Sequence, residues 1–284
     1  MFQGKVLIPI DFSKTSEKLC ESLIELKKLG INEVLLVHVI ETGYIGINPH
    51  KLKKYYEERL FSLKMKLEPI IERVSIKVQI GRGSKEILKL AKEENVALIL
   101  IASHGRGIIK DFFLGHTVYN VARGSQRPVL VEKFENIDED KNIKIARVNK
   151  FDKILLPTDF SKYADIVIDK INTISFKFEE ILLVSVIESN KDLVSQKETV
   201  KEKMEQIKAN LSNKDLCERV TIKLREGMAS REIINIAEEE NAGIIIMATR
   251  GRGNIKKVVF GSTADRVTRR SPIPVLLFPL YNIE

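Results

Sequence analysis

Apolar residues in this chain come in short runs separated by longer stretches of helical period. In the first half the runs are Lys5–Pro9 with VLIP at its heart, Val34–Val39 (VLLVHV), Ser75–Ile80, Leu98–Ala102 (LILIA) and Pro128–Glu132. Unbroken apolar runs of about five residues predict strands buried on both faces. The intervening stretches predict helices: Ser16–Leu29 ending at Gly30, Lys51–Ile70, a helix capped by Gly81-Arg82-Gly83-Ser84 and running to Glu94, and Gly115–Gly124. Asp or Ser before the first periodic residue and Gly after the last are start and stop signals. The order βαβαβαβαβ predicts an α/β fold, a parallel sheet with helices on both faces.

The whole pattern occurs twice. Val6-Leu7-Ile8-Pro9-Ile10-Asp11-Phe12-Ser13-Lys14 matches Ile154-Leu155-Leu156-Pro157-Thr158-Asp159-Phe160-Ser161-Lys162, and VLLVHVIE (Val34–Glu41) matches ILLVSVIE (Ile181–Glu188). From Gly81 onward the offset stays at 146: Gly81 with Gly227, Ser84 with Ser230, Gly105 with Gly251, Gly115 with Gly261, Pro128 with Pro274. A repeat of domain length is a tandem duplication rather than a solenoid. The expected division is a first domain 1–134, a linker 135–150 and a second domain 151–284. The linker is charged and poorly periodic, with a short extended piece expected around Ile143–Val148.

Composition narrows the function classes. Charged residues make up 30% and the net charge is +8, but the lysines alternate with Glu along the helical stretches. No basic run carries aromatics, so a solvated surface is expected rather than a nucleic-acid face. Cys20 and Cys217 fall in different halves at unrelated positions, which implies neither a disulfide framework nor a CxxC metal site. No leader-type apolar segment precedes the first strand, and no run approaches the ~18 residues of a membrane span. A reduced, cytoplasmic setting without a membrane partner is the expectation.

In sheets of this kind ligands bind beyond the carboxyl ends of the strands. Four features fall there in each half: Pro9-x-Asp11 or Pro157-x-Asp159, the strand end at Val39 or Val186, Gly81 or Gly227, and the Gly-rich loop after the fourth strand. In that loop Gly251-Arg252-Gly253 is followed by Gly261-Ser262-Thr263 at the start of the last helix. Glycines permit φ > 0 and close approach, so successive N–H groups can cradle an anion. A helix N-terminus with free amides and hydroxyls favours phosphate. Arg252 and Lys256 add charge. The plain alternative is a tight turn with Ser262 as an ordinary N-cap. No GxxxxGK[ST] occurs, and neither Gly105-Arg106-Gly107 nor Gly251-Arg252-Gly253 has the third glycine of a dinucleotide fingerprint.

These residues resemble the universal stress protein family in its tandem form. The family's G-x-x-G, nine residues, then G and Ser or Thr, is matched by Ala248-Thr249-Arg250-Gly251 with Gly261-Ser262, and by Ala102-Ser103-His104-Gly105 with Gly115-His116. The resemblance implies two Rossmann-like domains of the adenine nucleotide alpha hydrolase-like kind, each with a five-stranded parallel sheet. It implies adenine near Pro157, Asp159 and Val186, and ribose near Gly227 and Ala248. The phosphates then fall on Gly251, Gly253, Gly261, Ser262 and Thr263. The first-half equivalents are Pro9, Asp11, Val39, Gly81, Gly105, Gly115, His116 and Thr117. Both halves put Ala at the first signature glycine, and the first also loses the hydroxyl to His116, so the second site is the more intact.

The implied function is a regulatory stress-response protein that binds ATP, ADP or AMP, with Mg²⁺ accompanying ATP. The alternatives are a dimerisation scaffold without nucleotide and a slow ATPase. The resemblance puts Asp11 and Asp159 at adenine, far from a γ-phosphate, and no Ser/His/Asp triad spacing is visible. His38, His50, His104 and His116 all lie in the first half without metal-ligand spacing, so structural or solvated histidines are expected. The resemblance further implies pairing of the halves through the last strands, Pro128–Val131 and Pro274–Phe278, as an internal pseudo-dimer, with a homodimer beyond it. The helices Lys51–Ile70 and Gln196–Leu211 are least alike between the halves, which is where an unidentified regulatory partner would be chosen.

Overall fold

The computed structural model describes residues 4–41, 49–104, 114–136, 143–188, 193–212, 214–252 and 260–279, with side chains undescribed at 49–50 and 193–196. The chain divides into two compact units, one closing at Ala146 and the other beginning at Arg147.

The first unit contains β1 (Gly4–Pro9), α1 (Lys14–Lys18), a 3-10 turn (Leu19–Ser22), α2 (Leu23–Lys28), β2 (Ile31–Ile40), α3 (Pro49–Leu67), β3 (Arg73–Ile80), α4 (Gly83–Glu93), β4 (Leu98–Ala102), α5 (His116–Gly124) and β5 (Val129–Glu132). Its sheet runs β3-β2-β1-β4-β5, and every pairing is parallel. All five residues of β4 are buried, as its unbroken apolar run requires. In α4 the buried positions Gly83, Ser84, Ile87, Leu90 and Ala91 follow helical spacing, so one stripe faces the core. The helix ends where Asn95 turns left-handed at φ 47°.

One helix departs from expectation. The stretch predicted as a single helix to Leu29 is broken by the 3-10 turn, in which Ser22 is fully buried and donates to Glu132 Oε2 at 2.6 Å. The predicted linker also has structure. Phe134–Asn136 (β6) and Ile143–Ile145 (β7) form an antiparallel ribbon, and Ala146 N donates to Lys133 O. Ile143 and Ile145 are buried, Lys144 between them is exposed, and β7 packs on α1. Burial pushes the Lys133 ammonium down to about 8.

The second unit repeats the plan: β8 (Lys153–Pro157), α6 (Lys162–Ile171), β9 (Phe178–Ile187), α7 (Leu193–Ser212), β10 (Cys217–Glu226), α8 (Ala229–Glu239), β11 (Ile244–Ala248), α9 (Ser262–Arg270) and β12 (Val275–Phe278). The order is β10-β9-β8-β11-β12, again parallel throughout. In each sheet the chain steps outward from the first strand one way, then resumes on its other side with the fourth. The strand order therefore reverses between β1 and β4, and between β8 and β11. Among the described residues no helix is long and apolar enough to cross a membrane.

At the edge opposite the strand carboxyl ends, both units carry the same carboxylate held between two lysines. Glu94 takes Lys5 at 2.6 Å and also Lys77; Glu240 takes Lys153 at 3.4 Å and Lys223 at 2.5 Å. Glu180 adds a second centre, accepting from Arg219 at 2.8 and 3.1 Å and from Thr221 at 2.6 Å. Bonds from Lys5 and Lys77 hold the Glu94 carboxyl at about 2, and bonds chiefly from Arg219 hold Glu180 at about 2, against an ordinary 4.5. A depressed carboxylate stabilises the fold above its unfolded value and loses that contribution as pH falls through the folded one.

Glu94→Gln and Glu180→Gln should each cost about 1 kcal/mol at pH 7, since their cationic partners are solvated enough to be screened. The difference from wild type should disappear between about pH 4.5 and about pH 2 in urea unfolding. A constant difference across that window would contradict the ion-pair account. Separately, a Cβ at Gly243 would lie 2.4 Å from Lys150 O, a backbone atom that cannot swing away. Gly243→Ala should therefore destabilise the second unit by about 1–3 kcal/mol.

Candidate functional site

The strand that ends at Pro157 continues for one more backbone bond, Thr158 N to Val184 O at 2.8 Å, and then turns. The turn is built from its own side chains. Thr158 Oγ1 accepts from Phe160 N, Asp159 Oδ1 accepts from Ser161 N, and Ser161 Oγ caps α6 by accepting from Ala164 N. Phe160 is left-handed at φ 57°. This is a costly conformation for a bulky residue, held here by the bonds on either side of it. The first unit makes the same turn, with Ile10 N bonded to Val37 O, Phe12 at φ 59°, Asp11 Oδ1 accepting from Ser13, and Ser13 Oγ accepting from Ser16 N.

The fourth strand leads into the signature. Ser103 N donates to Glu132 O, and Thr249 N to Phe278 O, each at 3.0 Å. The loop then returns to its own base: Gly115 N donates to Ser103 O at 3.1 Å and Gly261 N to Thr249 O at 2.7 Å. Gly115 and Gly261 are the N-caps of α5 and α9, and neither helix has a side-chain cap. Ser262 is thus the first helical residue and not the cap. His116 and Ser262 are exposed, and Thr117 and Thr263 half-buried, at helix starts with no side-chain cap among the described residues.

The glycines serve different ends, and φ > 0 is not the reason for most. Gly115 and Gly261 sit at φ −59° and −69°. A Cβ at Gly115 would meet nothing closer than 3.6 Å, so the protein itself leaves space there. At Gly251 a Cβ would lie 2.5 Å from Asp159 Oδ2, which accepts from Arg252 N at 2.8 Å. This glycine admits a carboxylate of its own chain. Among the described residues of the predicted set, positive φ occurs at Gly81 (157°) and Gly227 (136°), where the chain leaves the third strand. Ala102 and Ala248 complete buried strands and are not among the positive-φ residues, so the methyl at the first signature position is accommodated.

The predicted residues therefore gather at one edge of each sheet. Pro9 and Asp11, Val39, Gly81, and Gly115 with His116 and Thr117 lie at or just beyond the carboxyl ends of the first unit. Pro157 and Asp159, Val186, Gly227, Ala248, Gly251, and Gly261 with Ser262 and Thr263 do so in the second. Gly105, Gly253 and Lys256 lie outside the described residues. Contacts join several features. Thr15 Oγ1 donates to His104 O at 2.8 Å, tying the first turn to the signature. A Cβ at Gly83 would stand 3.1 Å from Glu41 Oε1 and 3.6 Å from Thr117, so the ends of β2 and β3 and the start of α5 converge.

Several residues of this edge were not singled out from the sequence. Glu41 takes Gly83 N at 3.3 Å, placing a carboxylate on the N-terminus of α4. Phe12 lies under the Arg59 guanidinium at 3.9 Å and stacks on Tyr56 at 5.6 Å. His38 is buried against both rings, and its Nδ1 lies 2.6 Å from Ile10 O, which makes that nitrogen the donor. Phe160 instead faces Lys203 and Arg252, each 5.7 Å from its centroid. The signal was present in the duplicated Asp-Phe-Ser, where the Asp and the Ser suggest a role and the Phe does not. Burial, reinforced by Asp169 and Asp159, pushes the Asp165 carboxyl up at the start of α6. Burial also pushes the Cys20 thiol up to about 12, which leaves it unreactive. Among the described residues no three of His, Cys, Asp and Glu come together as a metal site.

Comparison with known proteins matches both halves. The profile of the Universal stress protein family fits residues 3–133 and again 150–279. Universal stress protein MJ0577 of Methanocaldococcus jannaschii is 31% identical over 155 residues, covering 46% of this chain and 96% of its own. Universal stress protein Sll1654 of Synechocystis is 33% identical over 137 residues, covering 45% of this chain and 86% of its own. A crystal structure of a universal stress protein from Archaeoglobus fulgidus covers 99% of this chain and 97% of its own, at TM-score 0.72 and 26% identity. The chain belongs to the universal stress protein family and carries two of its domains in tandem.

Proposed function

We propose that this protein is a regulatory stress-response protein that binds an adenine nucleotide, ATP, ADP or AMP, with the second half as its principal site. The observation that carries this reading is the start of α9. Its N-cap is Gly261, no side chain caps it, and Ser262 and Thr263 stand there beside a loop closed on itself at Thr249. A helix start with uncapped amides and two hydroxyls suits a phosphate. Family membership supports the choice of an adenine nucleotide. In this reading Pro157, Asp159 and Val186 border the base, Gly227 and Ala248 the ribose, and Gly251, Gly261, Ser262 and Thr263 the phosphates.

Two features of the first half favour a scaffold role for it. Glu41 already supplies an anion to the N-terminus of α4, and His116 replaces the hydroxyl at the start of α5. Negative charge close to an incoming phosphate opposes binding.

Isothermal titration calorimetry with ATP and with AMP tests this. Gly261→Val should weaken binding roughly tenfold or more, while Gly115→Val should leave the dominant isotherm within about twofold of wild type. Both glycines have negative φ, but an added Cβ would lie 3.3 Å from Thr249 O at Gly261 against 3.6 Å from the nearest atom at Gly115, so circular dichroism and melting must show each variant folded before its isotherm is compared. Equal losses from the two would overturn the ranking of the halves. No heat with either nucleotide at millimolar concentration would overturn the reading itself.

A further inference from the structure

Three large apolar side chains stand in solvent on α3: Tyr55, Phe61 and Met65 are each 51% exposed. The core does not need them, because Leu60 and Leu67 bury the inner side of the helix, which packs on β2 and β3. Phe61 and Met65 are one turn apart, so they adjoin on the outer side. Apolar residues scattered singly over a surface are ordinary, and an adjoining pair on one helix is not. The duplication supplies a control. In the second half α7 holds the same place, between the second and third strands and packed on both, and its described residues expose no large apolar side chain. It turns Lys201, Glu202, Glu205 and Gln206 outward instead. The fold is therefore complete without the apolar pair.

Charge decides what the outer face of α3 suits. This helix carries six cations against two carboxylates, whereas α7 carries four against three. Lys53 is opposed by Glu57 and Lys64 by Glu68. Lys54 and Lys66 are exposed and hold no carboxylate among the described residues. Lys54 lies two turns before Phe61 and Lys66 directly follows Met65, so a cation flanks the apolar pair at each end. A second copy docked through the same face would set like charges against each other. A lipid surface would gain little apolar area from two side chains, and it would take in Glu58, which is exposed between Lys54 and Phe61. In a protein interface that carboxylate can stay at a solvated rim.

We propose that the outer face of α3 docks an acidic amphipathic helix of a partner protein, with Phe61 and Met65 as apolar anchors and Lys54 and Lys66 as the charges that select it. Apolar positions one turn apart among carboxylates are what such a face reads. Neither anchor belongs to the nucleotide site proposed above.

The test titrates the full chain into a fluorescein-labelled helical peptide with Leu at i, i+4 and i+7 among Glu residues, read by anisotropy, beside a counterpart with Lys in place of every Glu. Wild type should bind the acidic peptide at about 10–100 μM and the basic one at least roughly tenfold more weakly. Phe61→Gln with Met65→Gln should weaken the acidic peptide roughly tenfold or more. Lys54→Gln with Lys66→Gln should weaken it too and flatten its dependence on salt. All four side chains are exposed and Gln is a good helix former, so the variants should melt like wild type. No binding of the acidic peptide at millimolar protein, or equal binding by wild type and the Phe61/Met65 variant, would overturn the proposal. A dimer in sedimentation that the same variant abolishes would overturn it by giving the face to a second copy. Binding to phosphatidylserine vesicles without binding to the peptide would overturn it in favour of a lipid surface.

Discussion

The inner parallel strands are buried along most of their length and meet solvent at their ends, and in each half the carboxyl ends open on the same edge. The backbone bonds do not stop where the strands do. Ile10 N and Thr158 N bond to Val37 O and Val184 O, Gly81 N and Gly227 N to Ile40 O and Ile187 O, and Ser103 N and Thr249 N to Glu132 O and Phe278 O. The first, third and fourth strands of each half are each carried one bond past their last residue before the chain turns. The turns thus start from fixed positions, and the reversal of strand order beside the first strand sets two of them next to each other. Everything said of the site follows from that placement. The residues that could meet a ligand are those the sheet cannot use.

Duplication made most of this legible in the sequence. One copy of Pro-x-Asp-Phe-Ser is a weak signal, but two copies at the same place in the strand order mark a position with a task. The unbroken runs LILIA and IIIMA located the fourth strands to the residue, because only a strand covered on both faces has no polar alternation. What the sequence could not show is which neighbour each residue meets. Gly251 reads as a φ > 0 turn glycine, yet its reason is the Asp159 carboxylate, ninety-two positions earlier in the chain. Gly261 and Gly81 look alike as letters, but the first has an ordinary φ and the second does not. The 3-10 turn at Leu19–Ser22 has no local signal either; its buried Ser22 meets Glu132 from the far end of the first sheet.

The two halves also show how one skeleton takes different chemistry. Ser185 stands where the first half has His38, and that exchange changes the surroundings of the neighbouring turn. His38 is a buried ring that fills space beside Phe12 and admits Tyr56 against it, so the Phe12 platform is closed by aromatics. Burying this cluster rigidifies the first turn and ties it to the long helix, a contribution to stability rather than to recognition. Where the imidazole is absent, the second ring has no aromatic partner among the described residues and faces two cations, Lys203 and Arg252. The backbone beneath is the same in both: a left-handed Phe, an Asp folded back on the amide two residues on, and a Ser capping the next helix.

The left-handed Phe is the telling residue. Glycine or asparagine would make such a turn at less cost. A turn that needed only its backbone shape has no reason to hold a phenyl ring there in both halves. The ring's surroundings differ: in the first half it meets His38, Tyr56 and one cation, Arg59, and in the second it faces cations from both the signature turn and α7. Asp159 and Phe160 together connect three things, the end of the first strand, the signature turn and the long helix. The helix is among the elements least alike between the halves.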